Sequence, residues 1–296
     1  MHGESHTGWR AELRLSFVRD AARTALFERS HHGPLRVQRP FYPEGPGVCH
    51  LYVLHPPGGL VAGDQLQLRA SVQPEAHALI TTPAAAKLYR THHQDRLAQQ
   101  DNVLDVARGA SLEWLPQETI AFSGARAALS TRVTLAADAR FVGWEILCLG
   151  RPVAGERFVA GEVRPSFELS RAGVCTYVER GRYTAGTPLM DAPWGLAGQP
   201  VVGTMVCAVP GAAQHVEAAR ALLAGELGHT GELASAEESP VGWPPAAAVS
   251  GWDDLLIARY LGPSGEQART LFATLWAALR PALLGRPACP PRIWHT

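Results

Sequence analysis

His55-Pro-Pro-Gly-Gly-Leu-Val-Ala-Gly-Asp64 is the stretch that decides the fold. Two prolines followed by two glycines cannot sit inside a helix or a central strand. Pro56 and Pro57 fix φ, and Gly58, Gly59 and Gly63 open positive φ to the backbone. The chain therefore makes a tight, defined excursion here. It enters from the apolar run Leu51-Tyr-Val-Leu54. It leaves into Gln65-Leu-Gln-Leu-Arg-Ala-Ser-Val72, where Leu66, Leu68, Ala70 and Val72 alternate with polar residues as in a half-buried strand. Asp64 stands at the junction, where a carboxylate caps a turn or faces a ligand.

Working outward, four segments share one form: 68–83, 104–117, 133–147 and 167–181 each read as strand, tight turn, strand. Aligning Ala76, Ala110, Ala139 and Gly173 gives spacings of 34, 29 and 34 residues. Repetition at this period marks a stacked architecture, and a local period of two makes it β rather than helical. Two and four places after each anchor the residues are mostly apolar, so that face points inward. Six places after, the same face holds Thr82, Pro116, Glu145 and Glu179. An ionised carboxylate buried alone costs several kcal/mol unless it is paired, wet or metal-bound. Either the strands end here and the glutamates face solvent or pair with Arg151, Arg157 or Arg182, or they line a polar interior path.

The N-terminal residues Trp9, Ala11, Leu13, Leu15 and Phe17 share one face of a further strand, and 121–130 and 186–199 read as loops. The last third changes character. Residues 214–227 carry apolar groups at helical spacing and are ended by Gly228; 254–261 read as a strand. Ser264 caps a second helix, Gly265–Leu284, with a stripe of Leu271, Leu275, Trp276 and Leu279 that Pro281 ends or kinks. The expectation is one mainly β domain over 9–286, with loose tails at 1–8 and 287–296.

The chain has 296 residues, 46% of them apolar, enough for a sizeable core. Twenty-seven basic residues balance 27 acidic ones, which argues against nucleic acid as a partner. No apolar run reaches the length of a membrane span and no signal core opens the chain, so a cytoplasmic location is expected. The five cysteines are dispersed, with no CxxC, and read as reduced thiols. There is no Walker motif, GxSxG or HExxH, which weighs against an NTPase, an esterase or a zinc protease. Gly58-Gly59 with Gly63 is no dinucleotide fingerprint, since no helix follows. Cys49 and His50 offer thiolate and imidazole, ligands that suit nickel, although a histidine satisfied by backbone is the commoner case. His2, His6, His92 and His93 read as tail or surface residues, and Glu118 is open between structure and site.

HPPGGLVAGDQL at 55–66 and ALITTPAAAKLYR at 78–90 resemble the urease accessory family UreD, called UreH in some operons. GPLRVQRPFYPEG at 33–45, LEWLPQETIAF at 112–122 and GWEILCLGRPVAGERF at 143–158 extend the resemblance over nearly the whole chain. It implies a non-enzyme that joins a helical partner, UreF, and a GTPase, UreG, docks on apo-urease and helps install nickel. It also implies a two-layer, right-handed β-helix-like stack with two helices, and nickel passing through the interior. Asp64, Thr82, Glu118, Glu145 and Glu179 are the candidates to line that route, with Cys49 and His50 as secondary candidates. His55, Pro56, Pro57, Gly58, Gly59 and Gly63 shape the loop. No cofactor is held tightly, and nickel is in transit. A purely structural adaptor, or a metal-dependent hydrolase using Asp64 and histidines, are the competing readings.

Overall fold

A computed structural model describes residues 8–91, 96–231 and 245–295. His2, His6, His92, His93 and most of 229–250 lie outside the described residues. The protein is mainly β, built as two sheets facing each other. The first sheet has the order Val174–Arg180, Glu162–Arg171, Arg126–Leu135, Ala98–Val106, Gln65–Val72, Arg10–Asp20, Arg23–His32, with Tyr183–Thr184 added beside Glu162–Arg171. The second has the order Ala246–Trp252, Leu255–Gly262, Val201–Ala208, Arg140–Arg151, Ser111–Leu115, His77–Thr81, Cys49–Leu54, Arg36–Val37. Short strands Ala86–Leu88, Thr119–Ala121 and Glu156–Arg157 extend it.

From Cys49 to Arg171 the chain alternates between the sheets. Each long strand lies parallel to the one a circuit earlier: Gln65–Val72 with Ala98–Val106, then Arg126–Leu135, then Glu162–Arg171. The second sheet repeats this with Cys49–Leu54, His77–Thr81, Ser111–Leu115 and Arg140–Arg151. The anchors fall in register, because His77 pairs with Ser111 and Ser111 with Arg140. The fourth repeat departs from the pattern. Ala172 and Gly173 both take positive φ, 49° and 81°, and turn Val174–Arg180 back antiparallel on Glu162–Arg171 in the same sheet. A two-residue turn with both φ positive matches strand twist and makes a hairpin. Four-residue connections, as at 73–76, 107–110 and 136–139, carry the chain across to the other sheet instead.

The stretch 55–64 does make the expected excursion. Gly58 and Gly63 take φ of 77° and 89°. Gly59 is needed for a different reason: a Cβ there would stand 2.4 Å from the Tyr89 ring and 2.8 Å from the Lys87 carbonyl. Its neighbour Leu60 exchanges hydrogen bonds with the strand edge, donating to Lys87 O and accepting from Tyr89 N, both at 2.8 Å.

Two apolar clusters lie on the two sides of the second sheet. Between the sheets pack Leu13, Phe17, Leu51, Leu68, Leu104, Leu112, Val133, Phe141, Leu169 and their neighbours. On the outer face, Leu79, Leu115, Trp144, Ile146, Met205 and Leu256 meet the helices α2 (Val216–Gly231) and α3 (Gly265–Leu284). A short helix α1 (Pro188–Asp191) lies inside the expected 186–199 loop, and 126–130 belongs to a strand rather than a loop. Ser264 caps α3 by accepting from Gln267 N at 3.3 Å, and Leu271, Leu275, Trp276 and Leu279 are buried. Pro281 does not end α3. It sits in the last turn, and Gly285, with φ of 69°, closes the helix by donating to the Pro281 carbonyl.

The tail from 287, expected to be loose, is pinned as far as 295. Trp294 packs on Trp144 and Trp276, with centroids 5.6 and 5.7 Å apart, and its indole N–H donates to Thr81 Oγ1 at 3.0 Å. A large aromatic with a polar handle finds both a face and an acceptor here.

Candidate functional site: a polar seam between the sheets

Side-chain alternation should make the space between the sheets apolar, and at its centre it is not. In the first sheet one cross-strand row runs Leu68, Asn102, Thr131, Phe167, Glu179. In the second a row runs Glu145, Thr204, Arg259. Each member of the second row lies between core residues two places away, such as Leu147, Val202, Val206, Ile257 and Leu261, so the row faces inward. Asn102 Nδ2 donates to Thr131 Oγ1 at 3.0 Å, and the Thr131 hydroxyl donates to Glu145 Oε1 at 2.5 Å. Thr204 Oγ1 donates to Glu179 Oε1 at 3.1 Å, and the Tyr177 hydroxyl donates to Glu179 Oε2.

These groups border a cavity of about 240 Å³ between the sheets. Its wall includes Thr82, Asn102, Thr131, Glu145, Glu179 and Thr204, and it runs to the 55–64 excursion at His55, Gly58 and Leu60. Glu145 keeps some accessibility where it borders the cavity, yet lies deep in the protein. Burial pushes its carboxyl up to about 7; the Thr131 hydrogen bond opposes the shift and the charge of Glu179 adds to it. Among the described residues Glu145 has no cation within ion-pair distance. Glu179 has Arg259, at 3.7 Å.

The expectation that Glu145 and Glu179 stack as equivalent residues of two repeats is corrected by the hairpin at 172–173. They meet because they face each other from opposite sheets. Nor do they pair with the arginines expected: Arg151 holds Glu156, Arg157 holds Asp191, and Arg182 holds Glu162. Thr82 borders the cavity and accepts from Gln117 N at 2.9 Å.

The structure does not bring the other candidates to this place. Asp64 is buried, and its two oxygens accept from Trp9 N at 2.8 Å and Val61 N at 2.9 Å, which makes it the clasp of the excursion. Glu118 sits beside Cys148 under the first residue of α3, and one of its oxygens is buried without a hydrogen-bond partner. Cys49 and His50 are adjacent on a strand, so they point to opposite faces and share no ligand position. Cys49 faces the inner core; His50 faces outward and holds Glu44 Oε1 at 2.7 Å through Nε2. No group of three or more His, Cys, Asp or Glu gathers as a metal chelate among the described residues.

Sequence reasoning missed a second polar cluster, on the outer face. Arg280 of α3 is fully buried. It donates to both oxygens of Glu113 at 2.9 Å, to Glu44 at 2.8 and 2.9 Å, and to the Pro287 carbonyl. His77 Nε2 meets Glu113 Oε1 at 2.7 Å, and Trp276 Nε1 donates to Glu113 Oε2 at 2.6 Å. Burial alone would raise the Glu113 carboxyl, but His77 and Arg280 outweigh it and hold it down to about 2. The network ties α3, the 42–47 loop and three strands together. The signal lay in the sequence as polar residues at outward positions of buried strands, His50, His77 and Glu113, with an arginine on the helix stripe.

The described residues form a mainly β, two-sheet protein with a carboxylate-bearing cavity between its sheets. The family comparison is specific. Residues 9–295 match the model described as the UreD urease accessory protein. A urease accessory protein UreD of Dechloromonas aromatica is 45% identical over 99% of this chain and 96% of its own length. Those of Azoarcus sp. and Pseudomonas fluorescens are each 44% identical, over 98% and 97% of this chain and 95% of their own lengths. The chain belongs to the UreD urease accessory family.

Proposed function

We propose that this protein acts in urease maturation as a non-catalytic metallochaperone and scaffold. It joins UreF-like and UreG-like accessory proteins in the cytoplasm, docks on apo-urease, and lets nickel pass through its interior to the urease active site. The alternation of strands between sheets is read as the two-layer, right-handed β-helix-like coil of the family. The observation that carries the interior route is the seam: two carboxylates, Glu145 and Glu179, face one cavity between otherwise apolar sheets. Burying Glu145 without a cation is unfavourable for folding alone, which favours this reading over a structural adaptor. Carboxylate and hydroxyl oxygens also suit transit. They bind a divalent cation through few, weak contacts, whereas a closed thiolate and imidazole set would retain it. Thr82, at the cavity wall near the excursion, lies on this route. Asp64 contributes by holding the loop, and Glu118, with one buried oxygen unpartnered beside the start of α3, is a further candidate for the route. Both Asp64 oxygens accept from backbone N–H groups, which weighs against the hydrolase reading.

The test is co-expression of urease with its accessory proteins, with and without this chain, reading nickel per urease active site and the complex recovered by pull-down. Low nickel without the chain and a complex that contains it support the proposal. Full nickel occupancy at limiting nickel without the chain contradicts it.

A further inference from the structure

Beside the seam a guanidinium stands against Glu179. Arg259 lies in the inward row with Thr204 and Glu145. Its Nη2 stands 3.7 Å from Glu179 Oε2 and donates to the Tyr177 hydroxyl at 3.2 Å. Tyr177 donates in turn to the same carboxylate oxygen, and Trp252 of the adjoining edge strand packs on the Tyr177 ring, centroids 6.3 Å apart. Yet the Arg259 side chain is 54% exposed, so it reaches in from solvent rather than being sealed inside. It holds Glu179 loosely, at a distance longer than a direct hydrogen bond.

We propose that Arg259 is the resident counter-cation of the cavity, neutralising Glu179 while the interior is empty and yielding its place when a divalent cation arrives. This rests on the reading of the interior as nickel's route and names what regulates it. When the interior is empty, Glu179 is paired with Arg259. When it is loaded, the divalent cation takes the place of the guanidinium at Glu179, with Glu145 facing the same cavity, and the guanidinium turns outward to avoid a surplus positive charge. A divalent cation can bond carboxylate oxygen directly at roughly 2 Å, whereas the guanidinium stands 3.7 Å away. The exchange requires Arg259 to be long, flexible and half in water, as it is.

The experiment is calorimetric titration of the isolated full-length protein with Ni²⁺ at low ionic strength, for wild type, Arg259→Gln, Arg259→Lys and Glu179→Gln. Removing an exposed opposing charge should tighten nickel roughly three- to tenfold in Arg259→Gln, with a smaller effect at high salt. Arg259→Lys should stay near wild type, and Glu179→Gln should weaken binding and cancel the gain in the double variant. Tyr177→Phe, which frees the guanidinium without removing it, should shift affinity the same way by less. If Arg259→Gln binds nickel no more tightly while Glu179→Gln weakens it, the counter-cation role is overturned and the interior route stands. If neither substitution alters nickel affinity, the route and this proposal fall together.

Discussion

Replacing Glu145 by Gln should stabilise the empty protein, and only above a certain pH. The folded carboxyl titrates at about 7 against an ordinary value of 4.5, chiefly because burial disfavours the charged form. At 1.36 kcal/mol per pKa unit the displacement corresponds to roughly 3 kcal/mol as an upper bound. The folded state keeps this proton to higher pH than the unfolded chain does, so stability falls as pH rises from about 4.5 to about 7. Below that window both states are protonated and the term vanishes; above it the full penalty is present. Gln cannot ionise, and its oxygen still accepts the Thr131 hydroxyl. The advantage of Glu145→Gln should therefore be near zero at pH 4.5 and approach roughly 3 kcal/mol at pH 8. Urea melts of both proteins at the two pH values measure it. An advantage that is the same at both, or a loss at pH 8, would refute the reasoning and place an undetected cation beside Glu145.

Arg280→Met should cost about 3–5 kcal/mol, because it leaves Glu113 and Glu44 buried without their guanidinium; a cost under 1 kcal/mol in the same melts would show that the histidines suffice. The same network predicts acid sensitivity. Glu113 is held down to about 2, so its contribution is full above about 4.5 and is lost as pH falls toward 2, a dependence that Glu113→Gln should flatten. Gly59→Val should lower thermal stability through the clash with Tyr89 and the Lys87 carbonyl, by about 1–3 kcal/mol; an unchanged melting temperature would show that this loop edge gives way freely.

The sequence made the repeats legible because strand alternation and the four-residue connections leave a period of two interrupted at fixed places. Ala76, Ala110 and Ala139 fall in register for that reason. The Arg171-Ala-Gly-Val174 turn looked like a fourth instance, but its shorter connection was the legible sign of a hairpin. Glu145 and Glu179 were visible as carboxylates on an apolar face. Arg259, the partner of Glu179, was not, because cross-strand rows depend on register set some 55 to 115 residues away in sequence. Asp64 stays open between two roles in the sequence because a carboxylate at a turn looks the same whether it binds backbone or ligand; the structure shows it accepting from backbone. The Arg280 network was hidden because helix docking brings together residues from Glu44 to Arg280 that no local pattern links.

The claim that nickel travels between the sheets is tested most directly by nickel per urease active site, at limiting nickel, in cells carrying Glu145→Gln with Glu179→Gln. Gln preserves volume and one acceptor oxygen while removing charge. With the accessory complex intact by pull-down, the account predicts that urease is recovered nickel-poor; full occupancy beside an intact complex would contradict it.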